Sequence, residues 1–135
     1  MKEETVIKIS YLHEVVYYDS HGVCKFKDTN LPLDGIYEEE IGTIYYKNGK
    51  NHNENGPAYI GKSGYKQYLI NGKLHRIDGP AEIYSNGSVT WRINGHKIDG
   101  ETMDNWLTEN DIPLDWNIWS NEDKMMFALH WSDYE

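Results

Sequence analysis

A 23-residue repeat in the middle of the chain constrains its fold more than any other feature of the sequence. The motif Asn48-Gly49-Lys50 returns as Asn71-Gly72-Lys73 and again as Asn94-Gly95-His96. Further matches at this spacing are His52 with His75, Gly56-Pro57-Ala58 with Gly79-Pro80-Ala81, Ser63-Gly64 with Asn86-Gly87, and Tyr45 with Tyr68 and Trp91. A fixed period of this kind indicates stacked copies of one supersecondary unit. Two full units and a partial third span residues 44–100.

Each unit has the sequence pattern of successive β-hairpins. Asn-Gly between β-prone runs is the strongest short hairpin signal, because both central residues of a type I′ turn need positive φ. A second turn follows at Ser63-Gly64 and at Asn86-Gly87, and residues 88–93 alternate between apolar and polar side chains as a half-buried strand does. The repeat therefore predicts an antiparallel meander that gains two strands per unit.

The second unit resembles a known repeat. Residues 71–81 read Asn-Gly-Lys-Leu-His-Arg-Ile-Asp-Gly-Pro-Ala, similar to the NGKxHRxDGPA repeat of small uncharacterised proteins of tailed bacteriophages and giant viruses, loosely described as MORN-like. The first unit departs from it at Asn51, Asn53 and Asn55. True MORN repeats are shorter, with a different spacing of Gly and Tyr, so lipid binding is not carried over. The resemblance covers about 55 of 135 residues and implies a viral accessory protein in the host cytoplasm, with no known chemistry.

The C-terminal segment changes from a strand pattern to a helical one. Met103 and Leu107 lie on one face of a predicted helix, and a proline-containing loop follows. Ser120 and Asp123 form the capping signature of a second helix that ends in Trp131. This order of helix, loop and helix ending in tryptophan is also similar to the viral repeat proteins.

Four of the five tryptophans lie in this C-terminal segment: Trp106, Trp116, Trp119 and Trp131. Two interpretations stay open. The tryptophans cap the open end of the repeat sheet, as terminal repeats must. Alternatively, they form an aromatic and acidic surface for a partner, in which the indole rings are the anchors.

The N-terminal segment is also predicted to contain strands. Residues 5–10 alternate, and residues 14–18 and 23–27 form a predicted hairpin around the turn at residues 19–22. We expect this region to continue the meander. Residues 1–4 are not followed by an apolar stretch, and no apolar run approaches the roughly 18 residues of a membrane span, so neither a signal peptide nor a membrane anchor is expected.

Charge divides the chain into three parts. Residues 1–40 carry 9 acidic and 4 basic side chains, residues 41–98 carry 3 and 8, and residues 99–135 carry 10 and 1. We therefore predict an N-terminal β-hairpin region (1–40), a β-repeat region (41–100) and an acidic, Trp-rich helical cap (101–135) within one compact domain. The predicted fold is mainly β, an antiparallel meander with a small two-helix cap, and α+β overall. The simplest interpretation of the charges is that the acidic end neutralises the basic sheet.

No catalytic, cofactor or metal site is predicted. Cys24 lies in a predicted strand, where a buried and inert thiol is usual. Because it is the only cysteine of the sequence, both an intramolecular disulfide and a cysteine-rich zinc site are excluded. His52 and His75 share a register, but the third unit has Ile98 at that position and no spaced carboxylate joins them, so they make a poor zinc set. Nucleotide-binding glycine motifs are absent from the sequence. The prediction is a non-enzymatic protein.

Nucleic-acid binding is a weaker hypothesis. Lysines of the repeats lie among tyrosines, a mixture typical of single-strand binding surfaces. The isoelectric point of about 5.1 opposes it, because phosphate affinity comes from summed positive charge. Conversely, the clustered carboxylates of the ends could imitate a row of phosphates and block a nucleic-acid site on another protein.

The sequence thus predicts a protein-binding module, a phage accessory protein that modulates a host defence or nucleic-acid-handling protein. The predicted contact residues are Trp116, Trp119, Trp131, Asp111, Asp115, Glu122 and Asp123. An alternative site on the repeat face comprises His75, Arg76 and Trp91. The competing class is a structural virion component that pairs through an open sheet edge.

Overall fold

A computed structural model describes residues 8–9 and 16–134, and within them the chain forms short strands followed by two helices. The strands are β1 (Lys8–Ile9), β2 (Val16–Tyr18), β3 (Cys24–Phe26), β4 (Gly35–Glu39), β5 (Gly42–Lys47), β6 (Lys50–Asn51), β7 (Tyr59–Gly61), β8 (Lys66–Gln67), β9 (Leu69–Ile70), β10 (Lys73–Leu74), β11 (Glu82–Ile83), β12 (Val89–Ile93) and β13 (His96–Ile98). The helices are α1 (Gly100–Glu109) and α2 (Asn121–Trp131), with a 3₁₀ turn at Trp116–Ile118 between them. Of the predicted strand over residues 5–10, only Lys8–Ile9 falls within the described residues.

The main sheet is an antiparallel meander with one parallel strand at its N-terminal edge. Its order is β1-β4-β5-β7-β8-β11-β12-β13, with β6 paired to β5, while β9 and β10 form a separate hairpin. All pairs from β4 onwards are antiparallel. The predicted fold class is confirmed: a mainly β meander closed by two C-terminal helices.

The repeat turns have the predicted geometry. Asn48, Asn71 and Asn94 have φ of 50°, 49° and 50°, and the glycine after each has φ between 78° and 85°, the paired positive values of a type I′ turn. The second turn of each unit ends in a positive-φ glycine, Gly64 at 98° and Gly87 at 89°. These turns connect β5 to β6, β9 to β10, β12 to β13, β7 to β8 and β11 to β12.

The N-terminal region joins the sheet in a way that the sequence did not predict. β4 continues the meander next to β5, but β1 pairs with β4 in parallel. β2 and β3 form the predicted hairpin as a separate unit. A small core lies between this hairpin and the sheet, with Cys24, Leu33 and Tyr37 buried.

The second and larger core lies under the helical cap. Ile93, Ile98, Met103, Leu107 and Phe127 are among its most buried side chains. Both helices begin at polar caps, of which the cap of α2 was predicted from the sequence. The side chain of Asp99 accepts the Thr102 N–H, and Ser120 and Asp123 form a complete capping box. These caps fix where the helices begin, and so which of their faces meets the end of the sheet.

Candidate protein-binding surface

The predicted tryptophan anchors belong mostly to the core. Trp119 and Trp131 keep 6% and 5% of their surface exposed, and Trp91 keeps 6%. The Trp91 and Trp119 rings stack with centroids 5.7 Å apart and planes inclined by 17°. Buried rings cannot touch a partner while the cap is folded, so the contact role predicted for these three residues is corrected to a core role. They close the end of the sheet, as the capping interpretation expected.

The other predicted contact residues of the cap lie nearer the surface. Trp116 is half-buried, edge-on to Trp91. Asp111 is exposed just after α1, and Glu122 is exposed in the first turn of α2. Asp115 and Asp123 have structural work: the carboxylate of Asp115 accepts the Asn117 N–H at 3.0 Å, and that of Asp123 accepts the Ser120 N–H at 3.0 Å. Two of the four predicted carboxylates are therefore used in local turns and caps.

The alternative repeat-face set is used within the molecule. The Arg76 guanidinium lies 3.9 Å from the centre of the Tyr68 ring and donates to Asp78 at 2.8 Å. It also donates to the Pro80 carbonyl at 3.2 Å. Because its polar atoms already have partners, Arg76 is a structural residue of the repeat loop.

Two histidines join successive repeats. His52 Nδ1 accepts the backbone N–H of Asn71 at 2.9 Å, and His75 Nδ1 accepts that of Asn94 at the same distance. The carboxylate of Asp34 accepts the N–H of Asn48 at 3.1 Å and performs the same task for the first turn. The shared histidine register predicted from the sequence is therefore a series of hydrogen bonds between turns.

A buried carboxylate lies in the sheet where the repeats meet. Glu82 is 5% exposed and accepts hydrogen bonds from Tyr65 at 2.5 Å, Thr90 at 2.7 Å and Arg92 at 3.3 Å. Burial raises the pKa of Glu82. The hydrogen bonds from Tyr65, Thr90 and Gln67 and the charge of Arg92 lower this pKa by more than burial raises it, so the net pKa lies below its usual value. Burial and the neighbouring carboxylate raise the pKa of Tyr65. Both carboxylate oxygens of Glu82 accept hydrogen bonds, and this network holds the strands in register.

The surface that sequence reasoning missed is the outer face of α2. We define this outer face as Glu122, Met125, Met126 and Leu129 of α2 together with Asp133, two residues after the helix ends, and all five are exposed. Met125 exposes 63% of its surface and Leu129 exposes 77%, whereas Phe127 and Trp131 on the opposite face are buried. Residues three and four apart lie on one side of a helix. The result is a short apolar stripe with a carboxylate at each end.

A sequence signal for this face exists. A helix that packs on one side only should carry polar residues on the other, but α2 has apolar side chains on both sides. Leu114 and Ile118, in the loop before α2, expose a further two large apolar side chains. The cap therefore contains more apolar surface than its own core uses.

Metal binding, thiol reactivity and membrane spanning were compared with the described residues. Within residues 8–9 and 16–134, no group of three or more His, Cys, Asp or Glu side chains is arranged to hold a metal ion. Cys24 is buried as predicted, and burial raises the pKa of its thiol, which disfavours the reactive thiolate. No helix in this described part is long and apolar enough to span a membrane.

Comparisons with protein-family models, with curated proteins and with solved structures found no match to this chain. The viral resemblance of the repeat stays a prediction.

Proposed function

We propose that the protein is a non-enzymatic protein-binding module whose contact surface is the outer face of α2. The observation that carries this proposal is the exposure of Met125, Met126 and Leu129 on a helix whose opposite side already fills the core. Exposed apolar clusters on small soluble proteins commonly mark interaction sites. Methionine suits such a surface because its flexible thioether adapts to the partner.

The stripe matches a common recognition mode, in which one face of a helix enters an apolar groove through residues spaced three and four apart. The acidic charge of the cap indicates which charge the partner's groove should carry. Residues 99–135 carry 10 acidic side chains and 1 lysine, and the stripe itself ends in Glu122 and Asp133. A partner groove with a basic rim would complement them and speed the encounter. Following the resemblance of the repeat, we take the partner to be a host protein and this chain to be a phage accessory protein in the host cytoplasm.

Affinity capture from a bacterial lysate tests the proposal. The tagged wild-type protein should retain one stoichiometric protein, identified by mass spectrometry and then titrated in purified form by calorimetry. The double variant Met125→Gln/Leu129→Gln should weaken that binding by at least about tenfold, because central apolar anchors contribute most of an interface's energy. Glutamine keeps helix propensity and adds no charge.

A matched control uses the exposed side of α1. Asn105→Gln/Glu109→Gln places the same residue at the same spacing on a helix without an apolar stripe, and it should bind like wild type. Equal loss in both variants would assign the binding to another surface. A clean blank, with the protein co-purifying with virus particles, would replace the proposal with a structural virion role.

A further inference from the structure

Each acidic side chain of the repeat region lies next to a histidine or arginine side chain of the same molecule. This region has three of them: Glu54 lies 3.2 Å from His52, Asp78 pairs with Arg76, and Glu82 pairs with Arg92. Its six lysines are Lys47, Lys50, Lys62, Lys66, Lys73 and Lys97. Among the described residues, none of these lysines forms an ion pair, and no ion pair joins the repeat sheet to the acidic cap. The cap therefore does not neutralise the sheet by direct contact.

The stacked Asn-Gly turns place several of these cations in one line. Gly72 donates its N–H to the Asn51 carbonyl at 2.8 Å, and Gly95 donates to the Leu74 carbonyl at 2.7 Å, so each turn rests on the strand that follows the previous turn. A methyl group on Gly72 would lie 3.8 Å from Cβ of Lys50, and one on Gly95 would lie 4.0 Å from Cβ of Lys73. Each lysine thus lies beside the next turn of the stack.

We call Lys47, Lys50, Lys73 and His96 the lysine row. Each unit adds two strands, so the equivalent members Lys50, Lys73 and His96 lie about 10 Å apart along the sheet edge, given a strand spacing of about 4.8 Å. Lys47 and Lys50 are directly opposite one another in the β5–β6 pair. Like charges at directly opposed positions destabilise a hairpin, and neither lysine forms an ion pair with a carboxylate of the described residues. A carboxylate at this turn, that of Asp34, accepts the backbone N–H of Asn48.

We infer that the lysine row binds the phosphates of a single-stranded nucleic acid. The exposed residues between the lysines are Asn48, Asn71 and Asn94, whose side-chain amides form no hydrogen bond within the described part of the chain and can donate to phosphate oxygens. No member of the row is apolar, so a protein partner would find no anchor there. A flexible single strand can follow a row one charge wide along a twisted sheet edge.

An aromatic ring lies at the N-terminal end of the row. Tyr18 exposes 63% of its surface and pairs across the β2–β3 hairpin with Cys24, whose N–H donates to the carbonyl of Gly49 in the first turn. A base that leaves the row at this end can stack on the ring. The whole-chain charge of −9 opposes this binding less than the isoelectric point suggests, because association follows the local potential and the acids belong mostly to the two ends.

Fluorescence anisotropy with labelled oligo-dT20 tests the inference, on the full chain, between 20 and 200 mM NaCl. The wild type should bind with an affinity that falls steeply with salt. Lys50→Ala/Lys73→Ala should lower the affinity at 20 mM NaCl by about tenfold and should reduce the salt slope by about 1.4, since each phosphate contact with a single strand contributes about 0.7. The matched variant Lys62→Ala/Lys66→Ala, at the opposite end of the strands, should change the affinity by no more than about threefold.

Three outcomes would overturn the inference: no binding by the wild type at 20 mM NaCl, equal losses in the two lysine variants, or row-dependent binding of polyglutamate tighter than that of oligo-dT20. The last would assign the row to an acidic protein instead. Because the row and the outer face of α2 share no residue, Met125→Gln/Leu129→Gln should bind oligo-dT20 like wild type, so this inference and the proposed function fail separately.

Discussion

The imidazole of His75 accepts the backbone N–H of Asn94 at 2.9 Å and ties the second repeat to the turn of the third hairpin. His52 makes the same bond to Asn71 one unit earlier. A type I′ turn leaves the N–H of its first central residue outside the hairpin ladder, so this N–H needs an acceptor from elsewhere in the protein or from water. The histidine supplies that acceptor from the neighbouring unit, which explains why the residue recurs with the repeat.

Replacing His75 with alanine should therefore lower the free energy of unfolding by about 0.5–1.5 kcal/mol, because the hydrogen bond from the Asn94 N–H is lost. Urea unfolding followed by circular dichroism measures this. His96→Ala is the control, since His96 is exposed and its side chain forms no hydrogen bond within the described residues, and it should stay within about 0.5 kcal/mol of wild type. Equal effects would mean that the bond does not hold the repeats together.

The same bond predicts a pH dependence. Burial lowers the pKa of His75 below 6.5 in the folded state, and a protonated ring has no lone pair at Nδ1 for the Asn94 N–H. Unfolded chains therefore bind this proton more readily than the folded one. The contribution of neutral His75 is fully present above about pH 6.5 and is lost as the pH falls through the folded-state pKa. The free energy of unfolding should fall less between pH 7.5 and pH 5 in His75→Ala than in wild type; an unchanged pH response would contradict the prediction.

The repeat could be predicted because its turns depend on residues that are close in sequence. Features that depend on pairing between distant segments could not be predicted. Each Asn-Gly turn and the Ser120–Asp123 capping box depend on residues within one turn of chain, so their patterns are visible in the sequence. The parallel pairing of β1 with β4 joins residues far apart along the chain, and no local pattern encodes it. The sequence also did not reveal the role of Glu82, because its hydrogen bonds depend on Tyr65, directly before β8, and on Thr90 and Arg92 of β12.

Removing the Glu82 carboxylate should be costly. Glu82→Ala leaves Tyr65, Thr90 and Arg92 without their shared acceptor, and we expect a loss of about 2–3 kcal/mol in the free energy of unfolding. Glu54→Ala is the control: it removes a carboxylate that is 69% exposed in the loop between β6 and β7, so the loss should be below about 1 kcal/mol. Chemical denaturation of both variants decides the matter, and a loss for Glu82→Ala as small as the control's would show that the network does not hold the register.

Equivalent glycines of the repeat should respond differently to alanine. Gly49 and Gly72 both have positive φ, 78° and 80°, so a side chain at either costs about 1 kcal/mol. At Gly49 the new methyl group would also lie 2.4 Å from Cγ1 of Val23 and 2.6 Å from the Cys24 carbonyl oxygen, whereas at Gly72 the nearest atom is 3.8 Å away. We expect Gly49→Ala to destabilise by about 1–3 kcal/mol more than Gly72→Ala, because the first turn is packed against β3. Thermal unfolding of the two variants compares them, and similar values would contradict this packing.

The contact surface of the cap was missed for a different reason. Helical spacing identifies which residues share a face, but α2 has apolar residues on two faces, and the sequence alone does not say which one meets the sheet. The tryptophan ring of Trp119 packs on Trp91 rather than facing outward, because the end of the sheet offers the larger apolar area. The predicted anchors Trp119 and Trp131 are therefore buried in the core, whereas Met125 and Leu129 are exposed.

The two buried tryptophans of the cap should differ in what their indole N–H contributes. Trp119 Nε1 donates to the Pro113 carbonyl at 2.7 Å, whereas the buried Trp131 Nε1 has no acceptor among the described residues. Trp→Phe removes similar apolar area at both sites, but only at position 119 does it leave a carbonyl without its donor. We therefore expect Trp131→Phe to destabilise the protein by at least about 1 kcal/mol less than Trp119→Phe, as measured by urea unfolding. Equal losses would mean that packing alone sets the contribution of both rings and that the Trp119–Pro113 bond adds nothing to the stability of the cap.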